Sequence, residues 1–301
     1  MYGINPPPSL KDGDVIAIVA TARKVTPEEM FPAIEFLKEN GFRVLCGKNL
    51  YEVENQFAGS DKQRAEDLQW AINQPEIKAI LIARGGYGTM RVLDLVDFSP
   101  LKKNPKWICG FSDVTALHLH VQSHLNLTTL HCVMPINFGK NREAFESLVN
   151  ALRGNVQRYV WEGSEFDRSG STDGILVGGN LSLLYALTGT ASDITTDEKI
   201  LFIEDLDEYL YHLDRMMMSL RMAGKLKNLK GLVIGGLSDM KDNVVPYGKT
   251  ATEIILDAVK DYSFPVCFNF PAGHIDRNLA LYLGRKVEFS ADKHFGKLVF
   301  K

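Results

Sequence analysis

Asp14-Val15-Ile16-Ala17-Ile18-Val19-Ala20-Thr21-Ala22, with Thr26-Pro27-Glu28-Glu29 a few residues later, sets the pattern of a strand followed by a helix. The first stretch is short, β-branched and apolar, and reads as a strand. The second is a helix start: Thr26 caps, Pro27 takes the first helical position and Glu29 completes a capping box, ahead of Met30, Ile34 and Leu37 on one apolar face. Pro32 inside this helix predicts a kink. Gly41 ends the helix and Phe42–Leu45 is the next strand. The rhythm continues outward through a helix over Ser60–Asn73, a strand over Ile77–Ala83 and the turn Gly85-Gly86-Tyr87-Gly88. A strand over Lys106–Gly110 then runs directly into Phe111-Ser112-Asp113 and a helical stretch with Val114, Leu117 and Val121 on one face. Strands alternating with helices predict an α/β domain with a mainly parallel sheet. Both turns follow the carboxyl end of a strand, where open α/β sheets place their sites.

The chain has 301 residues, more than one ordinary core holds and suited to two units of roughly 150. Hydrophobic residues are 45% and charged residues 24%, which shows no sign of disorder, collagen or a coiled coil. Lys and Arg number 34 against 37 Asp and Glu, a net charge of −3, so no basic excess exists to neutralise a phosphate backbone and a nucleic-acid partner is disfavoured. Residues 1–10 lack the cationic start and apolar segment of a secretory signal, and no run approaches the ~18 apolar residues of a spanning helix. The expectation is a cytoplasmic protein with no membrane partner. Cys46, Cys109, Cys132 and Cys267 are widely spaced with no Cys-x-x-Cys pair, and so are expected as reduced, mostly buried thiols. A polar Gly/Ser-rich stretch at 161–173 is the expected linker between domains at 1–160 and 174–301. Beyond it, strands are expected at Gly174–Val177, Lys199–Glu204, Gly231–Ile234 and Val266–Phe270, and a hairpin at Lys286–Phe289 with Lys297–Phe300. Helices are expected at Asn180–Leu187, Tyr209–Ala223 and Ala251–Lys260.

Ser112 stands between a strand and a helix with Gly110 two positions earlier, which suits a strained nucleophile turn, although Gly-Phe-Ser-Asp matches Gly-x-Ser-x-Gly only in part. A helix cap is the alternative, and on pattern alone the favoured one. The glycines at 85, 86 and 88 serve either a turn needing positive φ or a loop whose N–H groups meet an oxyanion. A phosphate cradle finds no supporting motif. Glu204-Asp205-Leu206-Asp207-Glu208 follows an apolar strand. Asp207 and Glu208 suit the next helix's dipole, whereas Glu204 ends the strand, where a rigid carboxylate can orient a histidine. Of seven histidines, His274 in Pro271-Ala272-Gly273-His274 is the best candidate base. His131 is expected to line the site. His120 and His124 share a helical face without a third metal ligand, His118 points away from them, and His212 and His294 are expected at the surface.

Taken together, Gly13-Asp-x-Ile-Ala-Ile-Val, Ala83-Arg-Gly-Gly-Tyr-Gly88, Gly110-Phe-Ser-Asp113, Val177-Gly-Gly-Asn-Leu-Ser182, Gly189-Thr190, Ile200-Leu-Phe-Ile-Glu-Asp205, Asp214-Arg-Met-Met217 and Ala272-Gly-His274 resemble, in order, the LD-carboxypeptidase family of serine peptidases. That family includes muramoyl-tetrapeptide carboxypeptidases and microcin C immunity peptidases. The resemblance spans about residues 10 to 290. It implies a flavodoxin-like or amidotransferase-like parallel-sheet domain at the N-terminus and a mixed α/β domain at the C-terminus. It also implies a Ser-Glu-His triad at Ser112, Glu204 and His274, with Glu208 in reserve for the acid, and an oxyanion received by the backbone N–H groups of Gly86 and Asp113. Two segments depart from the family pattern: Thr21-Ala22-Arg23-Lys24, where a Pro-Ala/Ser-Ser-like turn is usual, and His131-Cys-Val-Met-Pro135.

The function so implied is removal of a terminal D-alanine from a small peptide, the cytoplasmic murein tetrapeptide, without cofactor or metal. Arg84 and Arg277 are candidates for the substrate carboxylate by adjacency alone. The alternatives are a microcin C-type immunity peptidase acting on aminoacyl-sulfamoyl adenylates, and a non-catalytic murein-peptide-binding protein. The resemblance further suggests a homodimer, with Met216-Met217-Met218 as interface or core.

Overall fold

The computed structural model describes residues 6–155 and 158–301. Its described residues within Met1–Asn155 and Asp276–Gly284 make one compact unit, and those within Val156–Ile275 and Arg285–Lys301 a second.

In the first unit a six-stranded sheet of described residues runs in the order Leu281–Leu283, Thr129–His131, Trp107–Gly110, Ile77–Ile82, Val15–Val19, Arg43–Cys46. The last five of these are parallel. Counted in chain order from the Arg43–Cys46 edge they form the doubly wound 2-1-3-4-5 arrangement of flavodoxin-like sheets. Val15–Val19 is buried at every position, as a strand with both faces covered must be. Helix Pro27–Glu39 begins on the expected capping box, with Glu29 N donating to Thr26 Oγ1 at 3.3 Å and Thr26 N to Glu29 Oε2 at 2.9 Å, and it continues through Pro32. Helices Asp61–Asn73, Thr115–Leu125 and Arg142–Leu152 follow, the last of them not anticipated from the sequence.

The second unit holds a seven-stranded sheet of described residues in the order Val266–Cys267, Gly231–Ser238, Lys199–Leu206, Gly170–Asn180, Lys286–Ala291, Phe295–Phe300, Arg158–Glu162. The first four strands are parallel and the rest antiparallel, the mixed α/β architecture expected of the C-terminal half. Leu181–Leu187, Leu210–Met222 and Ala251–Ala258 are its helices. No helix among the described residues is long and apolar enough to cross a membrane.

Three expectations need correction. The segment 161–173 is not a linker: it ends the strand Arg158–Glu162 and begins the strand Gly170–Asn180. The polar residues at 170–173 alternate along a strand with one face exposed, a pattern that composition alone confuses with a loop. The boundary between 1–160 and 174–301 likewise differs from the division found. Leu281–Leu283 returns to the first sheet, antiparallel to Thr129–His131, and Tyr282 Oη donates to Ala151 O at 2.6 Å. The strand expected over Val266–Phe270 stops at Cys267, because Asp167 accepts from Phe268 N at 2.8 Å and Asn269 turns to a φ of +61°.

Candidate active site

Trp107–Gly110 leaves the first sheet at its carboxyl end, and the chain reverses into the short turn Ser112–Val114 before helix Thr115–Leu125. Ser112 holds a φ of +63°, a left-handed conformation that L side chains rarely adopt. An ordinary cap looks different here: Thr26 and Ser60 are extended, at φ −111° and −67°, and each accepts the amide three residues on. Ser112 instead sits inside its turn, past the N-cap Phe111, in the strained strand-to-helix geometry that lifts a hydroxyl above a sheet.

The residue after it supports the neighbouring loop. Asp113 is buried, and its Oδ2 accepts from Thr89 N at 2.8 Å, tying down the end of Gly85-Gly86-Tyr87-Gly88. Burial raises the Asp113 carboxyl above its usual range. Gly85 faces Ser112 so closely that a Cβ there would come 3.1 Å from Ser112 Cβ and 3.2 Å from Oγ, and Gly86 holds a φ of +109°. Behind the turn, the fully buried His118 bonds Gly110 O through Nε2 at 2.9 Å, and burial lowers its pKa to about 4. His118 is therefore a neutral support for the turn and not a titrating member of the site.

In the second unit, strand Lys199–Leu206 delivers Glu204 and Asp205, both buried. Glu204 Oε2 accepts from His274 Nδ1 at 2.6 Å and from His274 N at 3.1 Å. The approach requires glycine beside it: Gly273 has a φ of +105°, and a Cβ there would lie 2.7 Å from both Glu204 Cβ and Oε2. Ser238 Oγ donates to His274 O at 2.8 Å and fixes the loop from the other side. Asp205 turns to the opposite face, accepting from Asn180 Nδ2, Ser182 N, Ser182 Oγ and Leu206 N at 2.8–2.9 Å. Burial, and then the charge of Glu204, raises Asp205 to about 6, while the four donors favour its ionised form. Glu208 is engaged elsewhere, accepting from Ser182 Oγ at 3.0 Å and pairing with His212 Nδ1 at 2.5 Å. Of the two acids weighed from the sequence, Glu204 is thus the one bonded to His274.

The remaining candidates scatter. His120 and His124 stack at 4.2 Å, and no group of three or more His, Cys, Asp or Glu among the described residues is arranged to hold a metal. His131 is wholly buried against Phe111 and does not line an open surface. His212 is half-buried on Glu208, while His294 is exposed. Arg277 makes two bonds to Glu143, at 2.7 and 2.8 Å, and Arg84 reaches Lys24 O and lies 4.0 Å from Glu29. Met216 and Met217 are core residues, and Met218 is partly exposed. Cys46 is exposed and the other three cysteines are buried and free. Sequence reasoning missed the supporting roles of Asp113, His118 and Asp205. The adjacency of Asp113 to Ser112 and of Asp205 to Glu204 was their only local signal.

Comparison with known proteins agrees along the chain. The family models described as the LD-carboxypeptidase N-terminal domain and C-terminal domain match residues 16–132 and 173–289. A Bacillus subtilis protein named probable murein peptide carboxypeptidase is 33% identical, covering 93% of this chain and 90% of its own. The crystal structure of muramoyltetrapeptide carboxypeptidase from Oxalobacter formigenes superposes with a TM-score of 0.86 at 26% identity, covering 95% of this chain and 98% of that one. The microcin C7 self-immunity protein of Escherichia coli is 24% identical, covering 93% of this chain and 91% of its own.

Proposed function

Because this chain belongs to the LD-carboxypeptidase family, we propose that it is a serine peptidase that removes the terminal D-alanine from murein tetrapeptides in the cytoplasm. The observation that carries the reading is the buried Glu204 carboxylate bonded to His274 Nδ1 at 2.6 Å. A carboxylate on Nδ1 selects the imidazole tautomer whose Nε2 is basic and stabilises the imidazolium formed when that nitrogen takes a proton. In this reading Ser112 Oγ attacks the peptide carbonyl as His274 accepts its proton. The amides of Gly86 and Asp113 receive the oxyanion, and His274 returns the proton to the leaving amine of D-alanine. Water then repeats the sequence on the acyl-enzyme. The strained backbone of Ser112 supports the nucleophile role, since such strain persists at functional positions.

Purified protein should release D-alanine from the L,D-tetrapeptide, should leave its all-L counterpart intact, and should be indifferent to EDTA. Ser112→Ala should lower release by roughly 10³-fold or more. Undiminished release by that variant would overturn the mechanism. Similarity to the microcin C7 self-immunity protein supports a second reading, hydrolysis of an aminoacyl-sulfamoyl adenylate. Parallel assay of that compound decides between the two, the favoured substrate being the one with the higher kcat/KM.

A further inference from the structure

The strands Val15–Val19 and Ile77–Ile82 are neighbours at the place where the order of the first sheet reverses, the position at which doubly wound sheets bind ligands beyond the strand carboxyl ends. Arg23 stands just past the first of these strands, and Gly85 and Gly86 just past the second. The backbone at Arg23 is held on both sides. Ala58 N donates to Ala22 O and Lys24 N to Gln56 O, each at 3.0 Å, while Arg23 N donates to Gly85 O at 3.4 Å. The Arg23 stem crosses Gly86, where a Cβ would clash with its Cδ and come within 2.5 Å of its Cγ. On the adjacent Gly85 a Cβ would come 3.2 Å from Ser112 Oγ. One glycine pair is therefore flanked by the Ser112 hydroxyl at its first residue and by an arginine at its second.

The Arg23 guanidinium is exposed and makes no ion pair or side-chain hydrogen bond among the described residues. The neighbouring arginines are occupied. Arg84 is bonded to Lys24 O, and Arg64 to Thr21 O at 3.1 Å and Gly59 O at 2.6 Å. Arg91 is bonded to Asp61 at 2.9 and 3.0 Å.

We propose that Arg23 binds the free terminal carboxylate of the substrate and so confines the site to the last peptide bond. The inference rests on Ser112 being the nucleophile. In a substrate cut one residue from its end, the terminal carboxyl carbon lies about 4 Å beyond the attacked carbonyl carbon. That carbonyl sits roughly 3 Å from the nucleophile before attack. A carboxylate roughly 4–7 Å from Ser112 Oγ falls where a guanidinium carried across the next glycine can meet it, since consecutive Cα atoms are only ~3.8 Å apart. The planar fork of arginine grips a carboxylate through two hydrogen bonds, which a lysine at this position cannot do.

The test compares the L,D-tetrapeptide with the same peptide ending in a carboxamide. Wild type should prefer the free acid. Arg23→Ala should raise KM for the acid by about 10- to 100-fold, the loss of a charge-assisted pair, with kcat changed far less and the amide's constants unmoved. Arg23→Lys should fall between, and Lys24→Ala should match wild type. Retained preference for the acid in Arg23→Ala, or an equal loss in Lys24→Ala, overturns the assignment while leaving the peptidase reading intact. Cleavage of neither peptide by wild type, read as D-alanine from the acid and D-alaninamide from the amide, refutes the peptidase reading, and the role of Arg23 with it.

Discussion

Two side chains support the proposed chemistry without reacting in it, and each has its own signature. The first is the acid. Glu204 accepts both the Nδ1 and the backbone N–H of His274, whereas Glu208 is held by Ser182 and His212. Glu204→Gln keeps the shape but offers an amide that can present its own N–H to Nδ1, favouring the wrong tautomer. We expect kcat to fall by roughly 10³–10⁴ with KM nearly unchanged. Glu208→Gln should cost less than about tenfold; equal losses in the two variants would remove the distinction. The second is His118, whose pKa burial lowers from 6.5 to about 4. Between these values the unfolded chain binds a proton that the folded one refuses, so its contribution to stability is complete above about pH 6.5 and is lost as pH falls towards 4. The loss is of order 3 kcal/mol. His118→Gln, which can still donate to Gly110 O, should flatten the dependence of unfolding free energy on pH in that window by close to one proton. Urea titrations across the window read this directly, and an unchanged slope would exclude His118 as a source. The half-buried His120, lowered to about 4 by burial and by His124, accounts for part of what remains.

At the scale of elements, the close pass of the 271–275 loop over the end of strand Lys199–Leu206 decides whether the pair can form. Gly273→Ala combines a φ of +105° with a Cβ 2.7 Å from Glu204 Oε2, so the loop must lift and separate the imidazole from its acid. Activity should drop at least 100-fold, with a stability loss of about 1–3 kcal/mol. A crystal structure of the variant with the 2.6 Å bond intact would contradict this. That contact also marks the limit of what sequence reveals. Capping boxes at Thr26 and Ser60, buried strands such as Val15–Val19, and the two turns at strand ends are legible because local patterns determine them. Ser112 is legible as a strand-to-helix residue, but the sign of its φ has no local signal, so pattern alone favours a cap. Glu204 and His274 lie 70 positions apart, and only the ordered family motifs brought them together before the structure did. The polar strand at 170–173 was hidden because its exposed alternate positions carry the composition of a loop.

At the scale of the whole molecule, the chain does not finish its first unit before starting its second. Asp276–Gly284 leaves the second unit and supplies the Leu281–Leu283 edge of the first sheet, with Leu281, Tyr282 and Leu283 all fully buried. Their side chains contribute roughly 1.5–3 kcal/mol each, against a total stability of about 5–15 kcal/mol for an ordinary domain. Removing them also exposes the edge of Thr129–His131 and the Ala151 carbonyl that Tyr282 satisfies. A fragment of residues 1–155 should therefore fail to melt cooperatively, or should melt at least 10 °C below a fragment in which a short flexible linker joins residues 276–284 after residue 155. Circular dichroism melts of the two fragments make the comparison. Equal melting temperatures would mean that the returning strand is dispensable and that the first unit folds from the N-terminal half alone. A large gap would mean that the half bearing Ser112 is complete only after His274 has been made, since the segment that closes the first sheet begins two residues beyond that histidine.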